Sequence, residues 1–79
     1  MKRSESIARD QVGETFISTV KLNNFHPIDN VYETCIFYRD GSSDVVAQYH
    51  SEADARKGHA DAVRREQISL QVNGLVNGI

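Results

Sequence analysis

A period of two runs from Thr15 to Leu22, placing Phe16, Ser18, Val20 and Leu22 on one side and Thr15, Ile17, Thr19 and Lys21 on the other. With its β-branched residues this reads as a strand. Val31 to Tyr38 packs Val, Thr, Ile, Phe and two Tyr into eight residues and reads as a second. Asp40-Gly41 follows as a hairpin turn signal, and Asp44 to Tyr49 supplies the returning strand. Its register stays open, because a two-residue turn and a loop reaching Ser43 put different side chains opposite each other, and a slip of one residue exchanges the faces.

The period changes at Ser51. Its hydroxyl can cap the amides one turn on, Asp54 stands three residues later, and Glu52 and Asp54 suit the positive end of a helix dipole. Acid-to-base pairs four apart, Glu52 with Arg56 and Asp61 with Arg65, mark the solvent side of a helix expected to reach about Glu66. Its apolar side is expected to be Ala53, Ala60 and Val63, flanked by Ala55 and Ala62, small residues that permit close approach to a sheet. Gly58 in mid-helix costs on the order of 1 kcal/mol relative to Ala, so it is assigned to close packing.

The flanks are weaker. Met1 to Glu14 is polar apart from Ile7, Ala8 and Val12 and reads as a frayed arm. Asn23 to Asn30 is a loop by composition. Ile68, Leu70 and Val72 alternate as in a strand, but the doubled unit from Val72 to Ile79 carries Asn and Gly that break either regular structure. The expectation is therefore an α+β domain over 15–67, a three-stranded, mainly antiparallel sheet packed by one helix (βββα), with a flexible arm over 1–14 and an apolar tail over 68–79.

Seventy-nine residues make one domain at most, and a chain this short buries only about 60% of its unfolded surface. Self-association, as a dimer with Ile68, Leu70, Val72, Leu75 and Val76 in the contact, would add burial. A net charge of -2 lacks the basic excess that phosphate neutralisation requires. Cys35 is the sole cysteine, so no internal disulfide forms and a reducing cytoplasm fits. No apolar run approaches the roughly 18 residues that span a bilayer, so no membrane association is expected.

Candidate chemistry is sparse. His26, His50 and His59 show neither two-His helical spacing nor a Cys-x-x-Cys neighbour, so no metal is assigned. A lone mid-strand Cys35 is more often a small hydrophobe than a nucleophile, and the five glycines form no phosphate-binding fingerprint, so no cofactor and no catalytic residue is named. Glu33, a carboxylate inside an apolar strand, needs water or a donor, and His59 is the candidate donor. A structural hydrogen bond between them outweighs an active-site pair. Tyr32, Tyr38, Arg39, Tyr49, Arg64 and Arg65 form the candidate surface for a ligand or partner.

Tyr32-Glu33-Thr34-Cys35-Ile36-Phe37, then Gln48-Tyr49-His50-Ser51, Glu52-Ala53 and Gly58-His59, resemble a group of small proteins of tailed phages and prophages. In that group an aromatic-Glu-Thr-Met-Val-Phe strand precedes an Arg-Tyr-Ser-Thr-like segment and a helix with Glu-Ala and Gly-His. The resemblance covers roughly residues 17–63. Cys35 stands where Met is usual, Gln48 where Arg is usual, and Asn23-Asn24-Phe25-His26 replaces a glycine-rich loop. It implies a phage-related origin, hence a host cytoplasm, and a βββα unit, and it transfers no activity. The expected function is a non-enzymatic interaction or accessory protein, directed at a host protein or defence system. The second reading is a module that binds or sequesters nucleotides or nucleic acid through its sheet aromatics and basic residues.

Overall fold

A computed structural model describes residues 4–22 and 31–77. The chain runs β1 (Ser4–Val12), β2 (Thr15–Leu22), β3 (Val31–Phe37), β4 (Ser43–Tyr49) and α1 (Glu52–Asn77). The four strands form one antiparallel sheet in the order β1-β2-β3-β4, and α1 lies across one face of it. The α+β class and the antiparallel packing by a C-terminal helix match the sequence pattern, but the sheet has four strands rather than three.

The additional strand is the segment read as an arm. Val12 and Thr15 pair across Gly13-Glu14, with Gly13 at φ 61° and no other positive φ in the turn. That is the geometry of a two-residue hairpin with glycine in its first central position. Pairing then continues to Ser4 and Leu22, with a bulge at Ile7. The bulge interrupts the alternation, and the strand's outer positions are polar, so composition alone hides it.

The β3–β4 connection is the longer of the two loops left open by the sequence. Gly41 N donates to Tyr38 O at 3.0 Å, Tyr38 N donates to Ser42 O at 2.8 Å, and Gly41 takes φ 91°, a turn followed by a glycine bulge. The Asp40 carboxylate accepts from Ser42 N at 2.8 Å and Ser42 Oγ at 2.6 Å, which holds its pKa below the usual carboxylate value. A second bulge, at Val46, shifts β4 against β3.

Ser51 caps α1 as its spacing requires, its Oγ accepting from Asp54 N at 3.1 Å, and Arg56 bonds Glu52 at 2.9 Å. The helix does not stop near Glu66. It continues as one 26-residue element to Asn77, about 39 Å at 1.5 Å per residue. Leu70 sits against the β1–β2 turn, where a Cβ on Gly13 would lie 3.3 Å from Leu70 Cδ2, so the unexpected hairpin supports the unexpected turns of helix. Of the proposed tail, residues 68–77 are thus helical, and the Asn23 to Asn30 loop lies outside the described residues.

The buried face of α1 also differs from expectation. Ala55, His59 and Ala62 are buried and Val63 is half-buried, whereas Ala53 and Ala60 are exposed. Spacings of four and three bring 55, 59 and 62 onto one stripe. Ala62 and Val63 pack with Val12, Ile17 and Ile36, His59 bonds Thr19, and Tyr32 and Thr34 are buried on the same side of the sheet. Gly58 admits the Tyr49 ring: a Cβ there would overlap its Oη, Cζ and Cε1.

Candidate functional site

Sheet register sorts the side chains into two faces. On the helix side, Thr19 stands opposite Thr34 and next to Ala8, with Asp10 and Ile17 one pair along. Thr19 and Thr34 share a hydrogen bond of 2.6 Å, Thr19 Oγ1 lies 2.7 Å from His59 Nδ1, and His59 Nε2 lies 2.8 Å from Asp10 Oδ2. A carboxylate only accepts, so Nε2 donates to Asp10; with a neutral ring Nδ1 then accepts from the Thr19 hydroxyl, which accepts in turn from Thr34, and with a protonated ring Nδ1 donates to Thr19, which donates on to Thr34. Either form satisfies all four groups. Every buried side-chain nitrogen and oxygen among the described residues has a partner.

This chain of hydroxyl, imidazole and carboxylate has the order of a nucleophile relay. Burial decides its role. Thr19 and Thr34 are 0% exposed and His59 is 4% exposed, so no substrate atom can reach either hydroxyl, and the relay ties the helix to three strands. Asp10, Thr19 and Thr34 are the participants that the sequence reading missed. The legible signal was two threonines at the centres of adjacent strands, on the side of Ile17 and Ile36.

Glu33 is not the partner of His59. It projects from the opposite face, where Gln48 Nε2 donates to its Oε2 at 3.1 Å and Cys35 Sγ to its Oε1 at 3.5 Å. Burial first, then the hydrogen bond and charge of Glu33, push the Cys35 thiol above its ordinary pKa, which disfavours the nucleophilic thiolate.

The six residues of the candidate surface divide into three places. Tyr49, Arg64 and Arg65 line one open depression of about 570 Å³ with Gly58, Asp61 and Ile68. Tyr38 and Arg39 line another, of about 640 Å³, between the two hairpin turns and Glu66, Ser69 and Leu70. There Arg39 bonds Glu14 at 3.1 Å, and burial, then the Asp44 and Glu66 carboxylates, raise the Tyr38 phenol. Tyr32 is in neither, being buried under the helix with Lys21 over its ring.

Among the described residues, no element covers the face away from the helix. Phe16 and Phe37 pair at 6.2 Å, Arg9 stacks 5.1 Å above Phe16, and Phe37 and Val45 are 43% and 56% exposed. Among the described residues, no cluster of three His, Cys, Asp or Glu is placed to hold a metal, and no helix is long and apolar enough to cross a membrane. In comparisons with known proteins, no family model, no curated protein and no solved structure matches this chain.

Proposed function

We propose that this protein is a small non-enzymatic interaction module, a phage-related accessory protein that docks on a host protein through the depression between β4 and α1. The observation that carries the reading is the convergence of Tyr49, Arg64, Arg65 and Ile68 on that depression. A ring, an aliphatic side chain half exposed, and two guanidinium groups are the residue types that anchor protein interfaces. Ile68 and Val72, one helical turn apart and both about half exposed, extend the apolar part along α1. The partner is accordingly a protein surface with acidic groups around an apolar centre. The phage assignment rests on the motif resemblance alone.

A specific observation favours the nucleic-acid reading as well, namely the Phe16–Phe37 pair with Arg9 on an open sheet face, since bases stack on such aromatics. Glu33 in the midst of that face repels phosphate and weakens it.

The two readings separate in one experiment. Immobilised wild-type chain and the Arg64→Glu/Arg65→Glu variant are exposed to bacterial lysate with and without nuclease treatment, and retained proteins are compared. A protein held by the wild type and lost by the variant is expected. Equal retention by both, or binding that disappears with nuclease treatment, overturns the protein-docking reading.

A further inference from the structure

We infer that the helix-free face of the sheet is the contact between two copies of this chain, which pack sheet to sheet into an α/β/β/α dimer. The inference uses none of the residues assigned to the β4–α1 depression and stands or falls separately from that reading.

Register lays this face out in rows across the strands. Gln11, Phe16, Phe37 and Ser43 form one row, Arg9, Ser18, Cys35 and Val45 the next, and Ser6, Val20, Glu33 and Gln48 the third. Leu22 and Val31 close the far end. The two inner strands thus hold Phe16, Val20, Leu22, Val31, Cys35 and Phe37 around Ser18 and Glu33, and uncharged polar residues occupy much of the rim, a mainly apolar middle that carries one carboxylate.

The area fits. Strands about 4.8 Å apart, paired over seven residues at about 3.4 Å each, give roughly 450 Å² in projection and, with side-chain relief, some 600–800 Å² of accessible surface per copy. A standard stable interface buries about 800 Å² per partner.

Charge chooses a second copy over another occupant. Among the described residues of this face, Glu33 is the one carboxylate and Arg9 the one guanidinium, and neither makes an ion pair with another described residue. Covering Glu33 with an apolar surface would bury a charge without a counter-charge, which is costly. Arg9 lies on β1 level with Ser18, and Glu33 on β3 level with Val20. A two-fold axis in the contact plane, crossing β2 between Ser18 and Val20, exchanges these two positions. Each Arg9 then meets the partner's Glu33, the reciprocal pairing that an isologous contact demands.

The test is sedimentation velocity on wild type, Arg9→Glu, Glu33→Arg, and an equimolar mixture of the two variants, with circular dichroism to establish that each is folded. Wild type is expected to be a dimer at tens of micromolar. Each variant alone juxtaposes like charges twice and should weaken the dimer about a hundredfold or more. The mixture restores both pairs of opposite charge and should recover the dimer, which also shows that neither variant failed by misfolding. A monomeric wild type, variants that dimerise like it, or a mixture that stays monomeric overturns the proposal. So does loss of the dimer in Ile68→Lys, which would place the contact on the helix instead.

Discussion

Replacing Gly58 by alanine should change sign with the residue at position 49. In an exposed helix interior the change gains about 1 kcal/mol, because alanine loses less backbone entropy than glycine. Here the new methyl would overlap the Tyr49 ring, so the ring must leave its seat or the helix must lift. Fully burying a large apolar side chain is worth about 1.5–3 kcal/mol, and Tyr49 is half-buried, so displacement forfeits about half of that. Residual overpacking adds about 1–3 kcal/mol. The expected net effect is a loss of about 1–3.5 kcal/mol, or a drop in Tm of about 4–8 °C per kcal/mol in a domain of this size. In a Tyr49→Thr background, where a β-branched residue keeps the strand but no ring remains, Gly58→Ala should instead stabilise by about 1 kcal/mol. Urea unfolding of the four chains, at one protein concentration because an associating chain's midpoint depends on it, yields a coupling energy of about 2–4.5 kcal/mol. Stabilisation by Gly58→Ala of equal size in both backgrounds would show that the ring and the glycine do not constrain each other.

Thr19→Val should cost about 1–3 kcal/mol in urea unfolding, since it strands buried groups on Thr34 and His59; a neutral result would mean that the hydroxyl relay contributes nothing. Glu33→Gln and His59→Gln should be additive to within about 0.5 kcal/mol, because the two side chains lie on opposite faces of the sheet, and a larger coupling contradicts the register. Alkylation of Cys35 should reach half its maximal rate above the pH found for an unstructured cysteine peptide, and Glu33→Gln should move that point down by removing a carboxylate that disfavours the thiolate. Asp40 has a depressed pKa in the folded chain, so its contribution to the β3–β4 loop is complete above its ordinary value near 3.8 and disappears as pH falls through the lower folded value. The Ser42 amide resonance should report that transition, and Asp40→Asn should abolish it.

Where a segment's own residues decided its structure, the sequence was legible. Thr15 to Leu22, with its β-branched alternation, is strand β2, and the Ser51 and Asp54 spacing marks the start of α1. Where a distant partner decided, it was not. Ser4 to Val12 is a strand because β2 offers it a ladder across Gly13-Glu14, and its bulge at Ile7 erased the period of two. Ile68, Leu70 and Val72 looked like a strand by spacing, yet Leu70 finds the β1–β2 turn only if the chain stays helical. The Glu33–His59 pairing failed by one residue of parity: the covered face belongs to Thr34, so the histidine bonds a threonine pair and Glu33 points the other way. Of the candidate surface, Tyr49, Arg64 and Arg65 do converge, but only the choice of which side of β3 the helix covers shows that Tyr32 is buried with Thr34 and Ile36.

The two bulges limit how far the sheet can grow. Ile7 interrupts β1 and Val46 interrupts β4, and these are the two outermost strands. At each, one extra residue breaks the regular run of outward amides and carbonyls that a further strand would need, and it increases the local twist. A chain with an apolar sheet of this size would otherwise template its own edge-to-edge polymerisation. Deleting Ile7 or Val46 should straighten an edge and convert a protein that stops at four strands into one that forms fibres.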